Sequence, residues 1–117
     1  MIILKRTIVE IESTLKLYPY SKLHCDELKN EIQRGIYSQN KKNELIASQY
    51  IVDTVEKWFK ILLPDEREII KLRILGNRTY DFIAIQLGYA NHSSVIRKYH
   101  SILKKIYIND KEKIVYG

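Results

Sequence analysis

Thr79-Tyr80-Asp81-Phe82-Ile83-Ala84-Ile85-Gln86-Leu87-Gly88-Tyr89-Ala90-Asn91-His92-Ser93-Ser94-Val95-Ile96-Arg97-Lys98-Tyr99 is the stretch that decides the fold. Thr79 is a hydroxyl residue of the kind that caps a helix N-terminus, and Ile83 and Leu87 lie four apart on one face of the helix it would start. Ala84 leaves room for a second helix to cross closely. Gly88 is free to take the positive φ that reverses a chain after a helix. Asn91 then offers a second cap. Val95, Tyr99, Ile102 and Ile106 continue at helical spacing. These signals predict a short helix over Tyr80–Leu87, a tight turn, and a longer helix over His92–Ile106.

The longer helix is two-sided. Opposite its apolar stripe stand Ser94, Arg97, Lys98, Ser101, Lys104 and Lys105. An apolar side that docks on other helices, with a basic and hydroxyl-bearing side left over, is the pattern of a helix that enters the DNA major groove. The candidate DNA-binding residues are Arg78, Thr79, Asn91, His92, Ser93, Ser94, Arg97, Lys98, Ser101, Lys104 and Lys105. Of these, Ser94, Arg97 and Lys98 are expected at base edges, and Lys104 and Lys105 at phosphates. The competing reading is an ordinary helical hairpin with a solvated basic face.

Charge distribution favours the first reading. The 117-residue chain has a formal net charge of +6, with +2 in residues 1–63 and +4 in residues 64–117. Residues 82–109 contain no aspartate or glutamate at all, the footprint expected where phosphates approach. Hydrophobic residues make up 45% of the chain, which supports a core. Four glycines and two prolines are too few to turn a β-sandwich or barrel, so the expected class is all-α.

Upstream, Leu4, Ile8, Ile11 and Leu15 lie at helical spacing over residues 3–17. Pro19 in Tyr18-Pro19-Tyr20 is expected to interrupt that helix, because the residue before a proline is pushed out of the α region. Ser21 would then cap a second helix with Leu23, Leu28 and Ile32 as its apolar positions, ending near Gly35. Residues 35–43 read as a polar connector. A long helix is expected from Asn43 to Leu62, with Ile51, Val55, Trp58 and Leu62 in one stripe. Pro64 both stops it and suits the first turn of the next helix, where Asp65, Glu66 and Glu68 favour the positive end of the dipole. That helix should run through Ile69, Ile70, Leu72 and Ile74 and end at Gly76-Asn77. The organisation expected is an N-terminal helical segment, residues 1–40, for oligomerisation or partner contact, followed by a DNA-binding head, residues 41–117.

Leu63-Pro64-Asp65-Glu66-Arg67-Glu68-Ile69-Ile70-Lys71-Leu72-Arg73, then Thr79-Tyr80-Asp81-Phe82-Ile83-Ala84 and the basic helix after it, resemble region four of bacterial sigma factors. The resemblance covers about residues 63–107 and implies a promoter-reading helix-turn-helix. The wider layout, with Tyr18-Pro19-Tyr20 and the helix before Leu63, is similar to ArpU/RinA-type phage late-transcription regulators. That resemblance implies a sequence-specific activator of late genes working with host RNA polymerase. Residues 3–34 would serve as a dimerisation or polymerase-contact arm. A phage small-terminase-like packaging component, or a helix-turn-helix module that binds protein, stays open beside it.

Other chemistry finds little support. Cys25 is the single cysteine, so no intrachain disulfide is expected and a reducing compartment suits the chain. His24-Cys25-Asp26 lacks a second cysteine and reads as a surface segment rather than a metal site. No glycine-rich phosphate loop or paired-carboxylate motif is present, so neither an enzyme nor a cofactor is expected. Trp58-Phe59 reads as core or as an oligomer contact. Met1–Leu4 runs into Lys5-Arg6 and is too short for a signal peptide or a membrane span. The expected setting is the cytoplasm of a bacterial host, close to the nucleoid.

Overall fold

A computed structural model describes residues 2–4, 6–110 and 113–115, with the side chains of 6–110. The chain is all-α in its body: α1 (Ile8–Gln33), α2 (Gln39–Ile61), α3 (Pro64–Ile70), α4 (Tyr80–Leu87) and α5 (His92–Asn109). A π-helical turn, Lys71–Leu75, extends α3. Two short strands, β1 (Ile2–Leu4) and β2 (Lys113–Val115), pair antiparallel with Ile3 opposite Ile114. The expected helix over residues 3–17 therefore begins later, at Ile8, and Leu4 belongs to a strand. Its start is fixed by a capping box: Thr7 Oγ1 accepts from the Glu10 N–H, and Glu10 accepts from the Thr7 N–H.

Pro19 does not break α1. The helix runs through it for 26 residues, and Ser21, expected as a cap, is buried mid-helix. A proline inside a helix removes one backbone hydrogen bond at a cost of roughly 3 kcal/mol. Here α2 offsets that cost by packing antiparallel along α1. Tyr18 donates to Glu56 at 3.0 Å and meets the Phe59 ring edge-on at 5.7 Å. Further along, Ser21, Cys25 and Leu28 are buried with Ser48 and Val52. The face expected is met only in part: Leu28 is buried, but Leu23 is exposed and Ile32 half-buried. Cys25 is likewise buried rather than at the surface, and burial pushes its thiol pKa up. Beside it, His24 stacks on Tyr20 and lies 3.6 Å from Glu44.

The connector between α1 and α2 is shorter than expected, since Ser38 caps α2 by accepting from the Lys41 N–H. Val55, Trp58 and Leu62 are buried as the stripe predicts, with Ile51 half-buried. Pro64 occupies the start of α3, as read from the sequence. After the π-helical turn, Asn77 alone supplies the left-handed residue, at φ 51°, while Gly76 stays right-handed at φ −91°. Gly76 relieves crowding instead: a Cβ there would sit 3.1 Å from the Leu72 carbonyl oxygen, which would have to give by a few tenths of an ångström.

One hydrophobic cluster joins all five helices. Ile11 and Leu15 of α1, Val55 and Trp58 of α2, Ile69 and Ile70 of α3, and Ile83 and Ala84 of α4 meet Val95, Tyr99, Ile102, Leu103 and Ile106 of α5. Burying each such aliphatic side chain contributes roughly 1.5–3 kcal/mol, so this cluster dominates the fold's stability. Beside it the Arg6 guanidinium grips Asp110 at 3.0 and 3.1 Å, lies over the Trp58 ring and contacts the Tyr50 hydroxyl. The Trp58 indole N–H donates to the same Asp110 carboxylate at 3.1 Å. No helix among the described residues is long and apolar enough to cross a membrane.

Candidate nucleic-acid interface

The unit α4–turn–α5 is built by three local devices. Thr79 Oγ1 accepts from the Phe82 N–H at 3.1 Å and starts α4. Gly88 takes φ 77°, and its own N–H and that of Tyr89 both close on the Ala84 carbonyl. Asn91 Oδ1 then accepts from the Ser94 N–H at 3.0 Å and the Ser94 hydroxyl at 3.2 Å, starting α5. α4 has the bounds expected, and α5 runs three residues past Ile106 to Asn109. The expected core positions of α5, Val95, Tyr99, Ile102 and Ile106, are all buried.

Nine of the eleven candidate residues divide into three groups. Thr79, Asn91 and Ser94 spend their side-chain oxygens on the caps. Ser93, Arg97, Ser101 and Lys104 are exposed and recur at three- and four-residue spacing, so they form one open stripe. Lys98 and Lys105 stand on the flank of α5 that faces α3. Lys105 Nζ lies 2.8 Å from Glu66, and Lys98 Nζ lies 3.8 Å from Asp65. Glu66 is 6% exposed and also accepts from the Leu63 N–H at 2.8 Å. Burial alone would raise its pKa, but that backbone bond and the Lys105 ammonium together hold it below the usual carboxylate range. Lys105 is thus a strut between α5 and α3.

At the turn end, Arg78 lies over the Phe82 ring at 4.8 Å. His92 Nδ1 sits 3.3 Å from Asp81, so an acid absent from the neighbouring sequence returns in space. His100 completes the open stripe and was missed. It is exposed, three residues from Arg97 and seven from Ser93, and that spacing alone is enough to place it on the same face.

The electropositive surface is consequently narrower than the acid-free run in the sequence suggests. Asp65 and Glu66 neutralise one flank of α5, and Asp81 touches its first residue. Arg97 and Lys104 remain in the stripe with no carboxylate within ion-pair distance among the described residues. No protein-family model, curated protein or solved structure matches this chain at a significant level.

Proposed function

We propose that the chain is a sequence-specific double-stranded DNA-binding regulator of transcription, with α5 as its recognition helix and no catalytic role. The observation that carries this reading is the open stripe Ser93–Arg97–His100–Ser101–Lys104. Its opposite side is wholly buried, so the helix is rigidly aimed. Arg97, one turn into the helix, suits a guanine edge, and Lys104, two turns further on, suits a phosphate. The resemblance to sigma region four and to phage late-transcription regulators points the same way. It adds host RNA polymerase as partner, a homodimer as the working unit, and the bacterial nucleoid as setting.

A second feature bears on the partner. Ile85 is 84% exposed and Phe82 39% exposed on the outer face of α4. An apolar pair there gains nothing from phosphates and suits a protein surface, as an activator that recruits polymerase requires.

Selection of bound fragments from random duplexes, followed by titration of the winner, tests the reading. Arg97→Ala weakens the selected site by about 1–3 kcal/mol and relaxes preference at one position. Ile85→Asp leaves DNA affinity intact and abolishes activation in a reconstituted transcription reaction. Failure to enrich any sequence sinks the DNA reading and leaves the protein-binding module.

A further inference from the structure

The side of α5 turned away from the open stripe borders a small polar cavity. It holds about 210 Å³ and is lined by Glu12 and Lys16 of α1, Arg73 and Ile74 of the π-helical turn, Asn77, Tyr80 and Tyr99. The Arg73 guanidinium lies over the Tyr80 ring at 4.0 Å and donates to the Arg78 carbonyl at 3.0 Å, which fixes its position. Glu12 accepts from the Tyr99 hydroxyl, which burial and that carboxylate together keep protonated. Neither Arg73 nor Lys16 forms an ion pair among the described residues.

Two cations against one carboxylate leave a net positive charge, with Arg73 half-buried in the recess and Lys16 at its exposed rim. The backbone at this place is also uncommon. π-helical turns are rare and concentrate at functional sites, and Asn77 holds a left-handed φ of 51° at the cavity's edge. An ordinary α-helical ending would spare both features. The cavity is smaller than the roughly 300–1,000 Å³ that drug-sized ligands occupy.

We infer that this cavity binds a compact oxyanion, a phosphate or carboxylate group on a small solute, between Arg73 and Lys16. One group of either kind, singly charged, neutralises the site. The other oxygen of Glu12 then accepts a hydrogen bond from a hydroxyl or from a protonated phosphate. The solute is free rather than part of a nucleic acid strand, because the cavity borders the side of α5 turned away from the open stripe on which a duplex would dock.

The test titrates the isotope-labelled full chain, free of DNA, with inorganic phosphate and separately with acetate, at constant ionic strength, by NMR. Saturable amide shifts confined to Lys16, Arg73, Asn77, Tyr80 and Tyr99 are expected with one or both anions, and which anion acts identifies the group carried. Lys16→Gln, at an exposed position without an ion-pair partner among the described residues, leaves the melting temperature unchanged and raises the half-saturation concentration about tenfold, as one lost charge-assisted bond requires. Arg73→Gln removes the response. Linear shifts, shifts centred on His92–Ser94, or saturable shifts unaffected by Lys16→Gln and Arg73→Gln mean an adventitious ion only and overturn the inference. So does a Lys16→Gln variant that loses DNA affinity while keeping its phosphate response.

Discussion

The two ends of the α1–α2 hairpin are built from the same helices and held by different physics. Near Ile11, Leu15, Val55 and Trp58 the hairpin is one wall of a core that α3, α4 and α5 complete. Beyond Pro19 the two helices themselves supply the buried side chains among the described residues, and Arg6 reaches in only to Tyr50. Ser21, Cys25, Leu28, Ser48 and Val52 are the buried side chains there, three of them small, while Leu23, Ile36, Tyr37 and Ile46 stay exposed. Ion pairs stitch the far end, as between Lys41 and Glu31, but exposed pairs contribute little. A helix is therefore as stable as what covers it, and α1 passes from well covered to sparsely covered along its length.

Removing residues 1–40 is the harshest test of this contrast. If the near half of α1 is core, the truncated chain loses Ile11 and Leu15 and leaves the Tyr99 hydroxyl without Glu12, and it shows no cooperative melt by circular dichroism. A sharp transition in that fragment would mean the hairpin is merely appended. Paired large-to-small substitutions read the gradient directly. Ile102→Ala, fully buried in the head, costs about 4 kcal/mol, and Leu28→Ala, where the wall is thin and can relax, about 2 kcal/mol. Equal losses in urea titrations would erase the distinction.

Pro19→Ala works in the opposite direction. It restores a backbone donor in the middle of α1 and stabilises the chain by about 1–2 kcal/mol, less than the full helix-interior penalty because the native helix has already adjusted. Amide exchange should slow in residues 20–33 more than in α5. The smallest effect concerns Glu66. Its folded pKa is lowered, so it contributes stability above the unfolded value of about 4.3, and that contribution is lost as pH falls through the folded value. Glu66→Gln should flatten stability against pH below about 5 without altering the far hairpin; an unchanged acid limb removes Glu66 as the strut's anchor.

What the sequence made legible was what adjacent residues decide. The bounds of α4, the Gly88 reversal and the Asn91 cap depend on groups within four residues, and the buried face of α5 follows from its period alone. Pro19 misled because its local rule is sound but α2, which overrides it, lies some forty residues away. The Thr7–Glu10 capping box was legible and overlooked in favour of the apolar run through Leu4. Three-residue strands carry no alternation to detect, and their partners stand at opposite ends of the chain. The helical wheel of α5 correctly set Lys98 and Lys105 away from the core, yet it holds no information about α3 standing beside them.

Trp58 is the chain's only tryptophan, and it is wired to the place where the start of α1 meets the end of α5. Its indole N–H is bound to Asp110 and its ring lies under the Arg6 guanidinium. Intrinsic fluorescence is therefore a label already installed at one joint, rather than an average over the molecule. Arg6→Gln should shift the emission while leaving far-ultraviolet ellipticity unchanged. A partner or DNA fragment that loosens this joint would announce itself in the same optical channel, with no dye attached.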